Sequence, residues 1–366
     1  MPDLRELGWD DSWAVAFAPH AAAGLIPARI TIEFNHIYRV GTAEGELQVQ
    51  HTGRLLHRAS GRHELAAVGD WVAVRRSAGE ASGTIEEILP RRSKFSRKVA
   101  GELTEEQVVA SNIDTVFLVM GLDHDFNPRR LERYLLTSWE SGARPVVLLS
   151  KADLVDDPSS RADEISALAP GVPVHAISAV IRELENGKRL MPDVSCVDRY
   201  LGVGRTAALL GSSGAGKSTL INTLLGSAKL KTAEVRASDS RGRHTTRHRQ
   251  LIVLPGRGVL IDTPGMRELQ LWDAADSVQE TFEDIEALGA ECHFTDCRHL
   301  DEPRCAVKVA VAEGSLAADR LASYHKLQDE LRAFNARREV KGRIEEKRRN
   351  KVVGRAIKQM YKERGR

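Results

Sequence analysis

The sequence predicts a multidomain α/β protein with a small β-barrel, then a parallel sheet with flanking helices, then a small helical domain. Three observations predict it. Short alternating strands fill residues 29–97. A strand, a glycine loop and a helix follow one another over 205–225, and three cysteines fall within 292–305 together with His299. A chain of 366 residues is too long for one ordinary hydrophobic core, so two or three domains are expected.

The composition is that of a soluble globular protein, because 42% of the residues are hydrophobic and 28% are charged. The apolar run Val116–Met120 ends far short of the roughly 18 residues that a membrane helix needs. Asp3, Glu6 and Asp10 make the N-terminus too acidic for a signal peptide. We therefore expect a cytoplasmic protein without a membrane segment.

Positive charge is concentrated at the C-terminus. Residues 337–366 contain 13 Lys and Arg against 4 Asp and Glu, so that the tail carries +9 and the rest of the chain −7. An anionic partner would bind this tail, although most charge runs are solvated faces.

The first 28 residues show no clear period and are interpreted as an extension. From residue 29 the alternating stretches, separated by Gly-containing turns, predict a small closed barrel of the oligonucleotide-binding (OB) type. Predicted strands include Arg29–Glu33, Glu46–Gln50, Asp70–Arg75 and Gly83–Ile88, and a basic segment lies between the second and third of these: Arg54, His57, Arg58, Arg62 and His63. The Pro-containing stretch Leu89–Lys94 predicts a domain boundary.

Apolar strands then alternate with helical segments, which predicts a parallel sheet covered on both faces. Strands are expected at Thr115–Met120, Pro145–Leu149 and Val172–Ile177. Helices are expected near 128–141, 161–168 and 181–190.

The glycine loop is a phosphate-binding P-loop, because a strand precedes it and a helix follows it. Its glycines let successive backbone N–H groups face phosphate oxygens, and the helix directs its positive end at the same anion. Lys217 would reach the β- and γ-phosphates, and Ser218 would bind Mg²⁺. The predicted nucleotide-binding residues of the loop are Gly211, Ser212, Ser213, Gly214, Ala215, Gly216, Lys217, Ser218 and Thr219.

Loops at the ends of other strands carry a second set of signals. Asp153 can accept hydrogen bonds from N1–H and the exocyclic amine of guanine, a donor pair that adenine lacks. Asp262 would hold Mg²⁺, and the Gly265 amide would meet the γ-phosphate. The predicted base-binding residues are Ser150, Lys151, Ala152, Asp153, Ser178 and Ala179.

The base-reading signals precede the P-loop in the chain, whereas most GTPases have the reverse order, so the domain looks circularly permuted. This order resembles the ribosome small-subunit-dependent GTPase A family, also called RsgA or YjeQ, over roughly residues 29–335. The resemblance implies a GTPase that binds the small ribosomal subunit and its rRNA and assists its late maturation. It also implies that the subunit stimulates hydrolysis of GTP to GDP and phosphate.

We accordingly divide the chain into an extension (1–28), an OB-like barrel (29–97), a circularly permuted GTPase domain (98–272), a zinc-binding domain (273–335) and a basic tail (336–366), and expect a monomer.

Ser150 stands where many GTPases have Asn. Since a hydroxyl replaces only part of an amide's hydrogen bonding, weaker base affinity is expected.

In many GTPases a Gln after the Asp-x-x-Gly motif orients the attacking water. Here that motif is Asp262–Gly265 and the next residue is Met266, whose side chain cannot orient a water molecule. His244 is the candidate, since it lies where the mobile switch loop should be; the alternative is that it contacts RNA phosphate. The neighbouring Thr245 or Thr246 would reach Mg²⁺, and the His-Thr-Thr sequence is similar to that of the family.

Cys292, Cys297, His299 and Cys305 form the third constellation. In a cytoplasmic chain such a cluster favours a metal over disulfides. Three thiolates and one imidazole complete a tetrahedron around Zn²⁺ with no open position, which predicts a structural site. His293 is a competing ligand.

Two other function classes stay open at this point. A P-loop ATPase or kinase would not need a base-reading Asp, and a non-hydrolysing RNA-binding scaffold is compatible with Met266.

Overall fold

A computed structural model describes residues 3–34, 37–98, 106–180, 182–183, 189–190, 192–226, 249–262, 281–333 and 336. The described residues up to 262 belong to one unit, and those from 281 onward belong to a second. Within these ranges no helix is both long enough and apolar enough to cross a membrane.

Five strands form the predicted barrel. They lie in the order β1-β2-β3-β5-β4, and pairing of β1 with β4 closes it. All neighbours are antiparallel except β3 and β5. The strands are β1 (Ile26–Phe34), β2 (Ile37–Thr42), β3 (Gly45–His51), β4 (Trp71–Arg76) and β5 (Ser82–Ile88). The side chains of Ile30, Val40 and Trp71 are fully buried.

A helix precedes the barrel in the segment where the sequence shows no clear period. This helix, α1 (Asp11–Ala22), begins after Asp10, whose side chain accepts a hydrogen bond from the Trp13 amide. Trp13 and Phe17 lie one turn apart and are buried. They join the same apolar core as the barrel strands, so α1 packs against the barrel.

The basic segment of the barrel is partly neutralised. Arg54 pairs with Glu86 at 3.3 Å, and Arg58 pairs with Glu87. Both glutamates lie on β5, and the short helix α2 (Gly53–Arg58) carries both arginines.

The remainder of this unit is an α/β sheet. Strands β10, β9, β8, β13 and β15 are parallel, and β14 adds to them antiparallel to β15. A hairpin formed by β6 and β7 precedes the sheet. The elements are β6 (Lys94–Lys98), β7 (Glu106–Ser111), β8 (Thr115–Gly121), α3 (Pro128–Ser141), β9 (Arg144–Ser150), α4 (Pro158–Leu168), β10 (Val174–Ala176), β11 (Arg182–Glu183), β12 (Arg189–Leu190), β13 (Thr206–Gly211), α5 (Lys217–Leu225), β14 (Arg249–Leu254) and β15 (Gly258–Asp262).

The prediction of a helix near 181–190 is wrong. Arg182 and Glu183 pair antiparallel with Leu190 and Arg189 as strands β11 and β12. Antiparallel pairing between the two strands satisfies backbone groups that the expected helix would have paired within itself.

Alternate side chains of the parallel strands enter two different cores, as their period of two requires. Leu118 and Leu149 share one core with Leu131 of α3. Phe117 and Leu148 share the other with α5. Helices therefore cover both faces of the sheet, as predicted, and the barrel belongs to the core on the α3 face.

The barrel and the α/β sheet share strand pairing. Ile32 of β1 pairs with Gln250 of β14, and Gln250 pairs on its other side with Asp262 of β15. The first barrel strand is thus two strands away from the strand that carries Asp262.

The second unit contains three helices in its described residues: Glu283–Gly289, Ala306–Glu313 and 318–333. Arg320 forms an ion pair with Asp284 at 2.6 Å, and the Tyr324 hydroxyl donates to Glu286 at 3.0 Å. Phe282 packs edge-on against Tyr324. These contacts attach the last helix to the first.

Candidate nucleotide site and metal cluster

The P-loop connects the buried strand β13 to helix α5. Gly214 and Gly216 have φ values of 82° and 92°, a backbone conformation that favours glycine. The Lys217 ammonium donates hydrogen bonds to the carbonyls of Gly211, at 2.8 Å, and of Ser212. The loop therefore curls around the lysine at the N-terminus of α5, where backbone N–H groups and the helix dipole favour an anion.

The predicted base-reading residues lie together at the ends of β9 and β10. The Ser178 hydroxyl donates to Asp153 at 2.8 Å. The Ala152 amide donates to the Ile177 carbonyl at 3.1 Å. The Thr223 hydroxyl, on α5, donates to the Ala179 carbonyl at 2.8 Å. The P-loop helix and both base-reading loops are thus joined by direct hydrogen bonds.

Ser150 contacts the P-loop backbone. It is buried, and its hydroxyl lies 2.6 Å from the Ala215 carbonyl and 3.4 Å from the Met120 carbonyl. Because a hydroxyl has one proton, the shorter contact takes it. Ser150 therefore ties the loop after β9 to the phosphate loop.

Asp262 lies at the end of β15 and is buried. Burial raises the pKa of its carboxyl above the ordinary value, and the positive charge of Lys217 opposes that shift. A divalent cation at this position would favour the ionised form in the same way as Lys217. Carboxylate and hydroxyl oxygens are ligands that Mg²⁺ accepts, so Asp262 and Ser218 suit that ion.

Four predicted site residues, His244, Thr245, Thr246 and Gly265, lie outside the described residues. Their roles remain predictions from the sequence.

The four predicted metal ligands come together in the second unit. One ligand atom from each of Cys292, Cys297, His299 and Cys305 lies within 4.8 Å of all the others. The Cys292 and Cys305 sulfurs are 3.8 Å apart, and the His299 Nδ1 lies 3.6 Å and 3.4 Å from them. His293 is not a member of this cluster.

Sequence reasoning missed one loop at this site. Residues 122–127 follow β8, and within them Asp123 contacts Lys151 while Asp125 contacts Ser212. Their position directly after a fully buried strand is the same signal that identified Asp153 and Asp262.

The fold and the order of its site loops define a class. In a parallel sheet with helices on both faces, the acidic loop predicted to read the base comes before the P-loop, and the P-loop comes before the strand ending in Asp262. This is the architecture of a circularly permuted P-loop GTPase.

Two solved structures share this fold. The crystal structure of YjeQ from Thermotoga maritima gives a TM-score of 0.58 at 24% identity, covering 84% of this chain and 99% of the other. YloQ, a circularly permuted GTPase, gives 0.56 at 23% identity, covering 84% and 96%.

Sequence comparison identifies the family. The RsgA GTPase family model matches residues 88–272. The small ribosomal subunit biogenesis GTPase RsgA of Opitutus terrae is 48% identical over 92% of this chain and 91% of its own length. The protein of that name from Xanthomonas axonopodis pv. citri is 45% identical over 90% and 89%. The chain belongs to the RsgA GTPase family.

Proposed function

We propose that this chain is a GTPase that binds the small ribosomal subunit and its rRNA and assists late maturation of that subunit. It hydrolyses GTP to GDP and phosphate, and the subunit stimulates the reaction. The curated relatives named for small-subunit biogenesis support this proposal over nine-tenths of the chain.

One observation carries the choice of guanine. Asp153 is joined to Ser178 at 2.8 Å, and both lie at the edge of the sheet from which the P-loop emerges. A carboxylate held there can accept two hydrogen bonds from guanine, and adenine would supply neither of these donors. The nucleotide-binding residues in this proposal are Ser150, Lys151, Ala152, Asp153, Ser178 and Ala179, the P-loop residues 211–219, Asp262 and Gly265.

Mg²⁺ enters this site with GTP. Ser218, Asp262 and Thr246 would hold it, and it would neutralise charge on the phosphates. His244 would orient the attacking water, with Thr245 beside it.

Zn²⁺ fits the cysteine cluster by distance as well as by donor type. Zn–S bonds of about 2.3 Å and Zn–N bonds of about 2.1 Å place ligands of a tetrahedron about 3.6 to 3.8 Å apart. The distances of 3.8, 3.6 and 3.4 Å among the Cys292 and Cys305 sulfurs and the His299 Nδ1 are close to that spacing, and the Cys297 sulfur lies within 4.8 Å of these atoms. With four protein ligands, the site leaves no position for substrate and is structural.

The cationic tail 337–366 would add contacts to rRNA phosphates, which high salt weakens. We expect a monomer that acts in the cytoplasm, where bacterial small subunits mature.

The deciding experiment is phosphate release from GTP and from ATP, each with and without purified small ribosomal subunits. The proposal expects hydrolysis of GTP only, with faster turnover when subunits are present. Equal use of ATP would favour a P-loop ATPase. GTP binding without turnover, even with subunits, would favour a non-hydrolysing scaffold.

A further inference from the structure

A carboxylate outside the known motifs contacts the base-reading loop. Asp123 lies in the loop after β8, and its Oδ2 accepts a hydrogen bond from the Lys151 ammonium at 2.6 Å. The two side chains are only 18% and 22% exposed, so water screens this ion pair less than a surface pair. Burial alone would raise the pKa of Asp123. Hydrogen bonds from the Lys151 ammonium and from the Asp125 amide instead hold this pKa below its ordinary value.

Gly121, the residue before this loop, has no side chain that would obstruct the contact between Asp123 and Lys151. A Cβ on Gly121 would lie 2.5 Å from the Asp123 Oδ1 and 3.4 Å from the Lys151 Nζ. Gly121 also pairs with Ser150 across β8 and β9. Glycine at this position therefore leaves room for the Asp123 side chain to fold back over the strand end toward Lys151.

The same loop reaches the phosphate side of the site. Asp125 is buried and accepts a hydrogen bond from the Ser212 hydroxyl of the P-loop. Arg130 of α3 donates to the same carboxylate at 2.6 Å, which compensates its charge. Residues 121–127 thus bridge the base-reading loop and the P-loop.

The backbone conformation of Lys151 needs stabilising contacts. Its φ of 61° lies in the left-handed region, which is strained for a residue with a side chain. The preceding residue, Ser150, gives its single hydroxyl proton to the Ala215 carbonyl at 2.6 Å. An ion pair to Lys151 then fixes the turn that sets the direction of Asp153, two residues further on.

We infer that Asp123 is a positioning residue for guanine-nucleotide binding, which holds Lys151 and, through it, the base-reading loop in the binding conformation. It acts through Lys151. The inference rests on the nucleotide site proposed above.

The test is the rate at which a fluorescent GDP analogue dissociates from the full chain. Asp123→Asn keeps the size of the side chain and removes its charge. The amide oxygen can still accept a hydrogen bond from Lys151, but loss of the ion pair is expected to speed dissociation about tenfold. The kcat for GTP should change less than about twofold, because the contact does not involve the reacting atoms. Asp163→Asn, an exposed carboxylate on α4, is the matched control and should change neither.

Two further variants keep the test decisive. Lys151→Met should speed dissociation by itself, and adding Asp123→Asn to it should cause no further change, since the two residues act as one unit. Gly121→Ala should also speed dissociation, because the added Cβ displaces the Asp123 carboxylate.

The outcomes separate the two proposals. If the unaltered protein fails to bind GDP, the proposed nucleotide site is wrong. If it binds, the inference about Asp123 is overturned by unchanged dissociation in folded Asp123→Asn, or by additive effects in the double variant. Should Asp123→Asn not fold, unchanged dissociation in Gly121→Ala overturns it. A lowered melting temperature with unchanged dissociation would likewise show a merely structural role.

Discussion

Glu33, at the end of the first barrel strand, forms an ion pair with Arg249, the first residue of β14, at 2.8 Å. Both side chains are mostly buried, and their strands pair at this position. The ion pair therefore lies where the first barrel strand joins the α/β sheet.

Glu33→Gln is expected to lower the free energy of unfolding by about 1 kcal/mol, because it replaces an ion pair at a poorly hydrated junction with a weaker contact between an amide and a guanidinium. Urea denaturation measures this change. Glu164→Gln is the control, since Glu164 pairs with Arg161 on an exposed helix surface, and it should cost less than about 0.5 kcal/mol. Equal effects of the two variants would contradict the claim that the buried Glu33–Arg249 ion pair stabilises the fold more than an exposed ion pair does.

Asp153→Asn is expected to change the base preference of the protein from guanine to xanthine. The amide cannot accept both donors of guanine, but it can donate to the carbonyl that replaces the amine in xanthine. The affinity for GDP should fall by about 2 to 3 kcal/mol. Calorimetry with GDP, XDP and ADP measures the preference, and an unaltered preference in the variant would speak against base reading by this residue.

His244→Ala should reduce subunit-stimulated turnover by about 10² to 10⁴-fold and leave GTP affinity intact. The measurement is phosphate release at saturating small subunits, with GTP affinity determined separately. If His244 contacts only RNA phosphate, saturating subunits would restore turnover. Unchanged turnover would reject the catalytic role.

If the cluster holds a structural metal as proposed, Cys305→Ser is expected to release it and unfold the second unit. The buried Cys305 is one of four candidate ligands, and the binding free energy of a structural metal is folding free energy. Elemental analysis and proteolysis measure the two effects. GDP binding by the first unit should survive. Cys196→Ser is the control, since Cys196 lies outside the cluster, and it should retain the metal; metal loss in that variant would place the site elsewhere.

Several elements could be predicted from local patterns. The P-loop, the strands ending in Ser150 and Asp262, and four of the five barrel strands (β1, β3, β4 and β5) each have an apolar period and turn residues within their own short stretch. The four metal ligands were recognisable because they lie within fourteen positions of the sequence.

Other features have weaker local signals. The helix α1 is marked only by the Asp10 cap and the pair Trp13 and Phe17, and its proline at position 19 obscures the pattern. The strands β11 and β12 are two residues each, so the apolar residues around them fit a helical period equally well.

The sequence by itself determined which chemical groups this protein possesses and in which order, because the phosphate loop, the base-reading loops and the metal ligands depend on residues close together in the chain. Only the tertiary structure decided which of these groups touch. The contact of Asp123 with Lys151, and the ladder from Ile32 through Gln250 to Asp262, join residues 12 to more than 200 positions apart. Such contacts follow from strand order and packing, which no local periodicity encodes.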